Sequence, residues 1–399
     1  MRHDSQESRV ASLVRRSLAV SSITRDETNY SPEFALRYVR TKHRSAHPPV
    51  LVIPGGPGLA SVLPYRTFRS LATRGGINLI MVEHRGIGFS RKDRAGADLP
   101  FSAMRISEVL KDLVAVLDQE GIHETIIVGS SYGSYLAASF GAAYPERVSG
   151  MILDSALLSS SHIELERETV RATLLNPDLP LSELISELST SGVPPRILLD
   201  IARAGYELGG YELVTALLRS RLRSERSPSW NAMQSYATRD ASIARIPGIY
   251  EFDLAGVIGF RELHYGVEPD GLPLDPALTY SPLINRFPAF TNEPYKLSQH
   301  FAEFHWPIVA LSGTRDLRTP PQIAQSLLSA TPDATLVSIN NGHSALDTHP
   351  LALLNSIRWL LAGNQHRLPA VAAWLDQLPK KGLAARLPQL LKLGGRLGL

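Results

Sequence analysis

The chain has 399 residues, with 41 Lys or Arg against 38 Asp or Glu, a formal net charge of +3, and 44% apolar residues. This is globular composition; it excludes disordered, collagenous and coiled-coil chains, and so small a basic excess argues against a nucleic-acid partner. Cysteine is absent, which excludes disulfides, thiolate nucleophiles and Cys-ligated zinc.

The first 25 residues hold no continuous apolar core, because Arg9, Arg15 and Arg16 interrupt Val10, Leu13, Val14 and Leu18. The stretch is read as a frayed or docked N-terminal helix on a cytoplasmic protein. An Arg- and Ser-rich transit peptide is the alternative, with Asp4 and Glu7 against it. Residues 1–30 are set apart as an N-terminal extension.

Six short all-apolar runs follow. Residues 49–53 end in Pro54-Gly-Gly-Pro-Gly58, 78–82 in Glu83-His84-Arg85-Gly86, and 125–128 in Gly129-Ser130-Ser131-Tyr132-Gly133. Residues 150–153 end in Asp154, 307–311 in Ser312-Gly-Thr-Arg-Asp316, and 335–339 in Asn340-Asn-Gly-His343. Runs this short fit strands buried on both faces of a parallel sheet. A helical pattern over 104–120, apolar at Ile106, Val109, Leu110, Leu113, Val114 and Leu117, separates two of them. The expected fold class is α/β, a mostly parallel central sheet with helices on both faces.

The rhythm breaks between Asp154 and Pro307, a gap of about 150 residues where one crossover needs only a dozen or more. Helices are expected over 165–175, 181–188, 196–223 and 230–244, punctuated by Pro177, Pro180, Pro194, Pro195, Pro228 and Pro247. Residues 158–303 therefore read as a mostly helical cap inserted between core segments 31–157 and 304–363. Ligands of open α/β sheets bind beyond the carboxyl ends of the strands, where such an insertion would roof the site. From 364 to 399 the chain is basic and amphipathic. Val371, Trp374, Leu375, Leu378, Leu383, Leu387 and Leu390 alternate there with Lys380, Lys381, Arg386 and Lys392. Helices packed on the body are expected, with contact to a membrane or partner subunit as the alternative. No apolar run has the length of a membrane helix, so no stable membrane insertion is expected.

The G-x-S-x-G pattern at 129–133 follows an apolar strand and opens a helix over 134–144, the context in which that turn presents a nucleophilic serine, Ser131. A serine hydroxyl needs a base to take its proton. His343, in the loop after the last strand, is assigned that role. Asp316, in the loop before it, would hold the imidazole in the right tautomer. Asp154, also at a strand end, is the rival acid, unless it caps the segment that follows. Backbone N–H donors for an oxyanion are expected from Tyr132 and from the glycine loop at Gly56. Arg85 either braces the site from beneath or belongs to a structural salt bridge. The chain has no phosphate-loop or dinucleotide glycine pattern and no H-E-x-x-H; His43/His47 lie in a polar loop rather than on a helix face, and His300/His305, five apart, are poorly spaced for one. No metal and no cofactor are expected.

Together these residues resemble the α/β-hydrolase superfamily and, more narrowly, the prolyl and tripeptidyl aminopeptidase family of serine peptidases. The resemblance runs from about Phe34 to Gly363. It is carried by Pro54-Gly-Gly-Pro-Gly58, Glu83-His-Arg-Gly-Ile-Gly-Phe-Ser90, Gly129-Ser-Ser-Tyr-Gly133, Gly313-Thr-Arg-Asp316 with Thr319-Pro320, and Gly342-His343. It implies cofactor-free hydrolysis of an N-terminal residue or short peptide under a helical cap. In prolyl aminopeptidases a cap motif supplies a glutamate for the substrate's α-amine. Arg261-Glu262-Leu263-His264-Tyr265 looks similar, which implies that role for Glu262, with Glu293 as a second acid lacking a motif. Pro54, Glu83-His84 and Tyr132 depart from the prolyl pattern, where His, Asp-Gln and Trp usually stand. Pro54 and Tyr132 lean towards the tripeptidyl branch. The missing cysteine pairs of secreted tripeptidyl members suit a cytoplasmic address.

The expected function is a serine aminopeptidase that acts on small peptides. A carboxylesterase or other small-molecule hydrolase of the same fold is the alternative, and a non-enzymatic hydrolase-like binding protein the remote one. The expected partner is a small peptide or small molecule. An oligomer through the cap or the C-terminal helices stays open.

Overall fold

The computed structural model describes residues 19–41, 47–237 and 245–380, together with 387, 388 and 391. Its strands are β1 (Val20–Arg25), β2 (Phe34–Arg40), β3 (Val50–Ile53), β4 (Leu79–Val82), β5 (Thr125–Ser130), β6 (Val148–Asp154), β7 (Arg245–Ile246), β8 (Tyr250–Glu251), β9 (Ile308–Gly313) and β10 (Ala334–Ile339). Eight form one sheet in the order β1-β2-β4-β3-β5-β6-β9-β10, and β7 pairs with β8 apart from it. From β4 to β10 neighbouring strands are parallel, and these six are the apolar runs of the sequence. β2 is antiparallel to both β1 and β4.

β1 and β2 correct the reading of the N-terminal region. Residues 20–25 are an edge strand of the sheet and not part of a helical extension; residues 1–18 lie outside the described residues. β2 buries Phe34, Leu36 and Tyr38 while the part-exposed Ala35 and Arg37 alternate with them, a period-two pattern that a search for continuous apolar runs passes over. β1 is the sheet's outermost strand and carries Ser21, Ser22, Thr24 and Arg25, so hydrophobicity marks it only weakly.

Helices cover both faces. Before the insertion come α1 (Arg66–Arg74), α2 (Ile106–Gln119) and α3 (Tyr132–Ala143). Within it are α4 (Ile163–Leu174), α5 (Leu181–Thr190), α6 (Pro195–Arg223), α7 (Pro228–Ala237) and α8 (Phe252–Leu263). After it come α9 (Pro321–Ala330), α10 (Ala345–Thr348), α11 (Pro350–Leu361) and α12 (Ala372–Gln377). Successive strand residues point to opposite faces. Leu51, Ile80, Ile127, Leu153 and Ile308 meet Leu110 and Leu113 of α2, Leu136 and Phe140 of α3, and Leu327 of α9. Val52, Leu79, Val128, Ile152 and Val309 meet Phe68 of α1 and Leu353 and Ile357 of α11. Each such side chain, fully buried, is worth about 1.5–3 kcal/mol relative to exposure.

The insertion divides between two cores. Val170, Leu181, Leu199, Leu217 and Trp230 of α4–α7 form a core of their own, joined by Leu387 and Leu391 from near the C-terminus. Leu254, Val257, Ile258 and Phe260 of α8 pack instead into the core beneath the sheet. The helix expected over 196–223 is broken: Gly210, at φ 66° and ψ −164°, interrupts α6, a conformation that only glycine adopts without strain. The final part of the helix expected over 230–244, and Lys381, Leu383, Arg386, Leu390 and Lys392 of the basic C-terminal segment, lie outside the described residues. No helix among the described residues is long and apolar enough to cross a membrane.

Candidate active site

Ser131 sits between β5 and α3 at φ 54° and ψ −122°. A non-glycine residue held there costs on the order of 1–3 kcal/mol, which the flanking contacts must sustain. Two glycines make the turn sterically feasible. A Cβ on Gly129 would lie 2.0 Å from the Gly133 oxygen, and one on Gly133 would lie 2.3 Å from the Ile53 oxygen. The Ser131 amide donates to the Asp154 carbonyl at 2.9 Å, tying the turn to β6.

β9 and β10 are adjacent and parallel, so the loops that leave them emerge side by side. A Cβ on Gly313 would lie 2.1 Å from the Gly342 oxygen, which shows how closely the two loops pass. They bring Asp316 and His343 together. His343 Nδ1 lies 3.0 Å from each oxygen of Asp316, and its Nε2 lies 2.9 Å from Ser131 Oγ. Asp316 is buried and also accepts hydrogen bonds from Arg318 N, Thr319 N and Thr319 Oγ1. Burial pushes its carboxyl up, but the His343 charge and these donors outweigh that and hold it at about 2. Burial alone would lower the His343 pKa, yet the charge and hydrogen bond of Asp316 raise it above the ordinary imidazole value.

Asp154, the rival acid, is committed elsewhere. It accepts from Ala345 N and Leu346 N at 2.9 Å each and from Ser130 Oγ at 2.8 Å. Burial pushes it up to about 6, against the pull of those donors. Arg85 is buried and bidentate on Asp112, with Glu108 at 3.4 Å; it is part of a structural ion cluster.

The glycine loop follows β3. A Cβ on Gly55 would lie 3.2 Å from Ser131 Cβ, so glycine permits the loop's close approach to the serine. Gly56 lines the same cavity as Ser131. Glu83 anchors the loop's far end by accepting from Ser61 N and Val62 N, and burial raises its carboxyl to about 7 despite those bonds. Tyr132 opens α3 directly after Ser131; its phenol is buried 3.2 Å from His84 Nε2, away from that cavity.

The cavity has a volume of about 410 Å³ between the sheet's carboxyl edge and the insertion. Ser131, Gly55 and His343 line it on the sheet side, and Glu166, Arg203 and Tyr265 line it on the other. Glu262 does not line it, which corrects the role the resemblance implied. Its carboxylate accepts from Ile106 N at 2.8 Å and from Arg261 at 3.0 Å. The reason is physical: Ile106 starts α2, Arg105 supplies no side-chain cap, and a buried helix N-terminus attracts a carboxylate. Its motif neighbours His264 and Tyr265 do line the cavity. Glu293 accepts from Ser159 Oγ, Ser160 N and Ser160 Oγ, just behind the cavity wall.

Asp200 on α6 and Asp347 on α10 line the cavity, and so does the part-buried Glu166 on α4. Burial pushes it up to about 7, and Arg203 and Arg318 pull the other way. Arg203 Nη1 lies 3.3 Å from its Oε1, and Arg203 also donates to Thr279 Oγ1 at 3.1 Å. Sequence reasoning passed over both residues. Glu164, Glu166 and Glu168 look alike on an amphipathic helix, and only the packed cap shows which one faces inward.

A family profile described as the alpha/beta hydrolase fold matches residues 48–180, which hold the glycine loop, the Ser131 turn and Asp154. The chain has the α/β-hydrolase fold. Among curated relatives, the proline iminopeptidase of Neisseria meningitidis serogroup A is 25% identical over 302 residues, covering 75% of this chain and 84% of the relative. That of Lactobacillus delbrueckii subsp. bulgaricus is 31% identical over 113 residues, covering 28% and 37%. The solved structure of VinJ superposes with this hydrolase at a TM-score of 0.51 and 16% identity, covering 86% of this chain and 98% of VinJ; it shares the fold.

Proposed function

We propose that this α/β hydrolase is a serine aminopeptidase that releases an N-terminal residue from small peptides. The single observation that carries the reading is the hydrogen-bonded chain Asp316–His343–Ser131 opening into the cavity beneath the insertion. His343 Nε2 takes the Ser131 proton as Oγ attacks the substrate carbonyl. The oxyanion is received by backbone N–H groups of the Gly56 loop and of Tyr132. His343 then gives the proton to the leaving amine nitrogen, the C–N bond breaks, and an acyl-enzyme remains on Ser131. Water attacks that ester, its proton passes to His343, and Ser131 leaves as the alkoxide and regains the proton. The acid product departs. Asp316 keeps the imidazole in the productive tautomer and stabilises its cationic form.

The amino-terminal preference rests on the proline iminopeptidase relatives and on Glu166. A cavity-lining carboxylate of this kind suits an ammonium group and fixes its distance from the scissile bond. Glu166 takes the place that the resemblance gave to Glu262. A panel of aminoacyl arylamides, N-blocked analogues and short p-nitrophenyl esters tests the reading. Cleavage of free-amine arylamides with none of blocked ones supports it, and turnover of esters alone overturns it.

One observation favours the carboxylesterase reading. Glu262 is spent on α2, and Glu166 and Asp200 of the cavity are already paired with Arg203, which leaves the best-placed acids of the cap side engaged with a cation. The ester arm of the same panel decides between the two.

A further inference from the structure

The strongest contacts around the triad that the mechanism does not use converge on the end of β6. The Asp154 carbonyl accepts the Ser131 amide at 2.9 Å. The Asp154 carboxylate accepts the amides of Ala345 and Leu346 at 2.9 Å each. Those two residues come directly after His343-Ser344 and begin α10. Ser155, next in sequence, accepts the Ser344 amide on its Oγ at 2.8 Å, and its side chain also hydrogen-bonds Asp316. Ser130 Oγ closes the group by meeting Asp154 Oδ2 at 2.8 Å and Ser344 Oγ at 2.9 Å. All five side chains are buried, and Ser155 and Ser344 are held at φ 52° and 61°. Positive φ at non-glycine residues persists only where surrounding bonds over-determine it.

We infer that Asp154, aided by Ser155, is a positioning residue that holds the Ser131 turn and the His343 loop at hydrogen-bonding distance from each other. Two separate chain segments meet on one residue, its main chain gripping the nucleophile and its side chain gripping the base. An anion accepting two amides is a stronger tie than a neutral acceptor, and a displacement of about 1 Å between nucleophile and base costs about a hundredfold in rate. Asp154 touches neither substrate nor the proton in transit. It acts through the geometry of His343. The inference rests on Ser131 being the nucleophile, but not on the identity of the substrate.

The experiment compares wild type, Asp154→Ala and Asp154→Asn in the full chain. It uses circular dichroism, turnover of a short-chain p-nitrophenyl ester, and the rate at which a fluorophosphonate labels Ser131. With a native spectrum, kcat and labelling rate of Asp154→Ala should both fall about tenfold or more while KM stays within about threefold, the pattern of an interaction that matters after substrate is bound. Asp154→Asn keeps one carbonyl acceptor and should fall between the two. The downfield Nδ1 proton resonance of His343 should broaden or vanish in the Ala variant. A natively folded Asp154→Ala with wild-type kcat and labelling rate overturns the inference. Should that variant fail to fold, Ser155→Ala, which removes one hydroxyl, is read by the same assays: a lowered kcat at constant KM supports the clamp, and an unchanged kcat overturns it. A wild-type enzyme that the probe does not label at Ser131 removes the nucleophile reading itself, whereas normal wild-type labelling with unaffected variants removes only the role of Asp154.

Discussion

His343 Nε2 and Ser131 Oγ stand 2.9 Å apart although 212 residues of chain separate them. Parallel strands place both at one edge of the sheet, and hydrogen-bond reach between base and hydroxyl is what activates a serine. Ser131→Ala should therefore reduce turnover by about a thousandfold or more and abolish fluorophosphonate labelling, while the melting temperature changes little, since the one partner it frees, His343 Nε2, faces the cavity. Retained labelling at another residue would show that the nucleophile lies elsewhere.

The pH profile has a sign. The base works only when His343 is neutral, and Asp316 raises its pKa above the ordinary imidazole value. kcat/KM should thus fall as pH drops through that raised pKa. Asp316→Asn removes the anion, so the limb should move to lower pH while kcat falls by about 10²–10⁴. Asp316 itself is held at about 2 against 3.8, so its contribution to stability is full above 3.8 and is lost as pH falls towards 2. A limb that stays in place in the Asn variant would contradict the pairing.

Glu166→Gln should raise KM about tenfold for substrates with a free α-amine and leave N-blocked esters unchanged, since only the charged partner of an ammonium is lost. Because burial lifts Glu166 to about 7, the wild-type preference for free-amine substrates should weaken below pH 7 as the carboxylate takes up a proton. Parallel measurement of an ester separates this from the His343 limb. Equal effects on both substrate classes would rule Glu166 out as the amine partner.

Glu262→Ala should behave as a loss of helix capping. It leaves the Ile106 amide without its acceptor, and a cost of about 0.5–2 kcal/mol is expected in thermal or urea unfolding. The ratio of rates on free-amine and blocked substrates should not change. A selective loss of free-amine substrates would restore the role the family resemblance gave it.

Gly133→Ala tests the packing of the nucleophile turn. The new methyl would lie 2.3 Å from the Ile53 oxygen and 2.5 Å from the Pro54 oxygen, both backbone atoms. Overpacking of this kind costs about 1–3 kcal/mol or more, and here it would also push the glycine loop from Ser131. Lower yield, a lower melting temperature and lost labelling are expected. A stable, active variant would mean that β3 yields more than its buried position suggests.

Much of this was legible in the residues alone. β3, β4, β5 and β9 stand out as short apolar runs because both their faces are buried, and the Ser131 turn carries glycines where backbone meets backbone. Order along the chain then put Ser131, Asp316 and His343 at one edge, since every parallel strand points its carboxyl end the same way. β1 and β2 escaped because a half-buried or edge strand leaves a weak hydrophobic trace. Which partner each carboxylate meets depends on tertiary packing. Asp154, Asp316, Glu166 and Glu262 are chemically near-equivalent as letters, and each one's task depends on which amide, guanidinium or imidazole the folded chain sets beside it. Local patterning reports how a segment buries its apolar side chains, whereas the partner of a charge is supplied by distant segments whose approach no local pattern encodes.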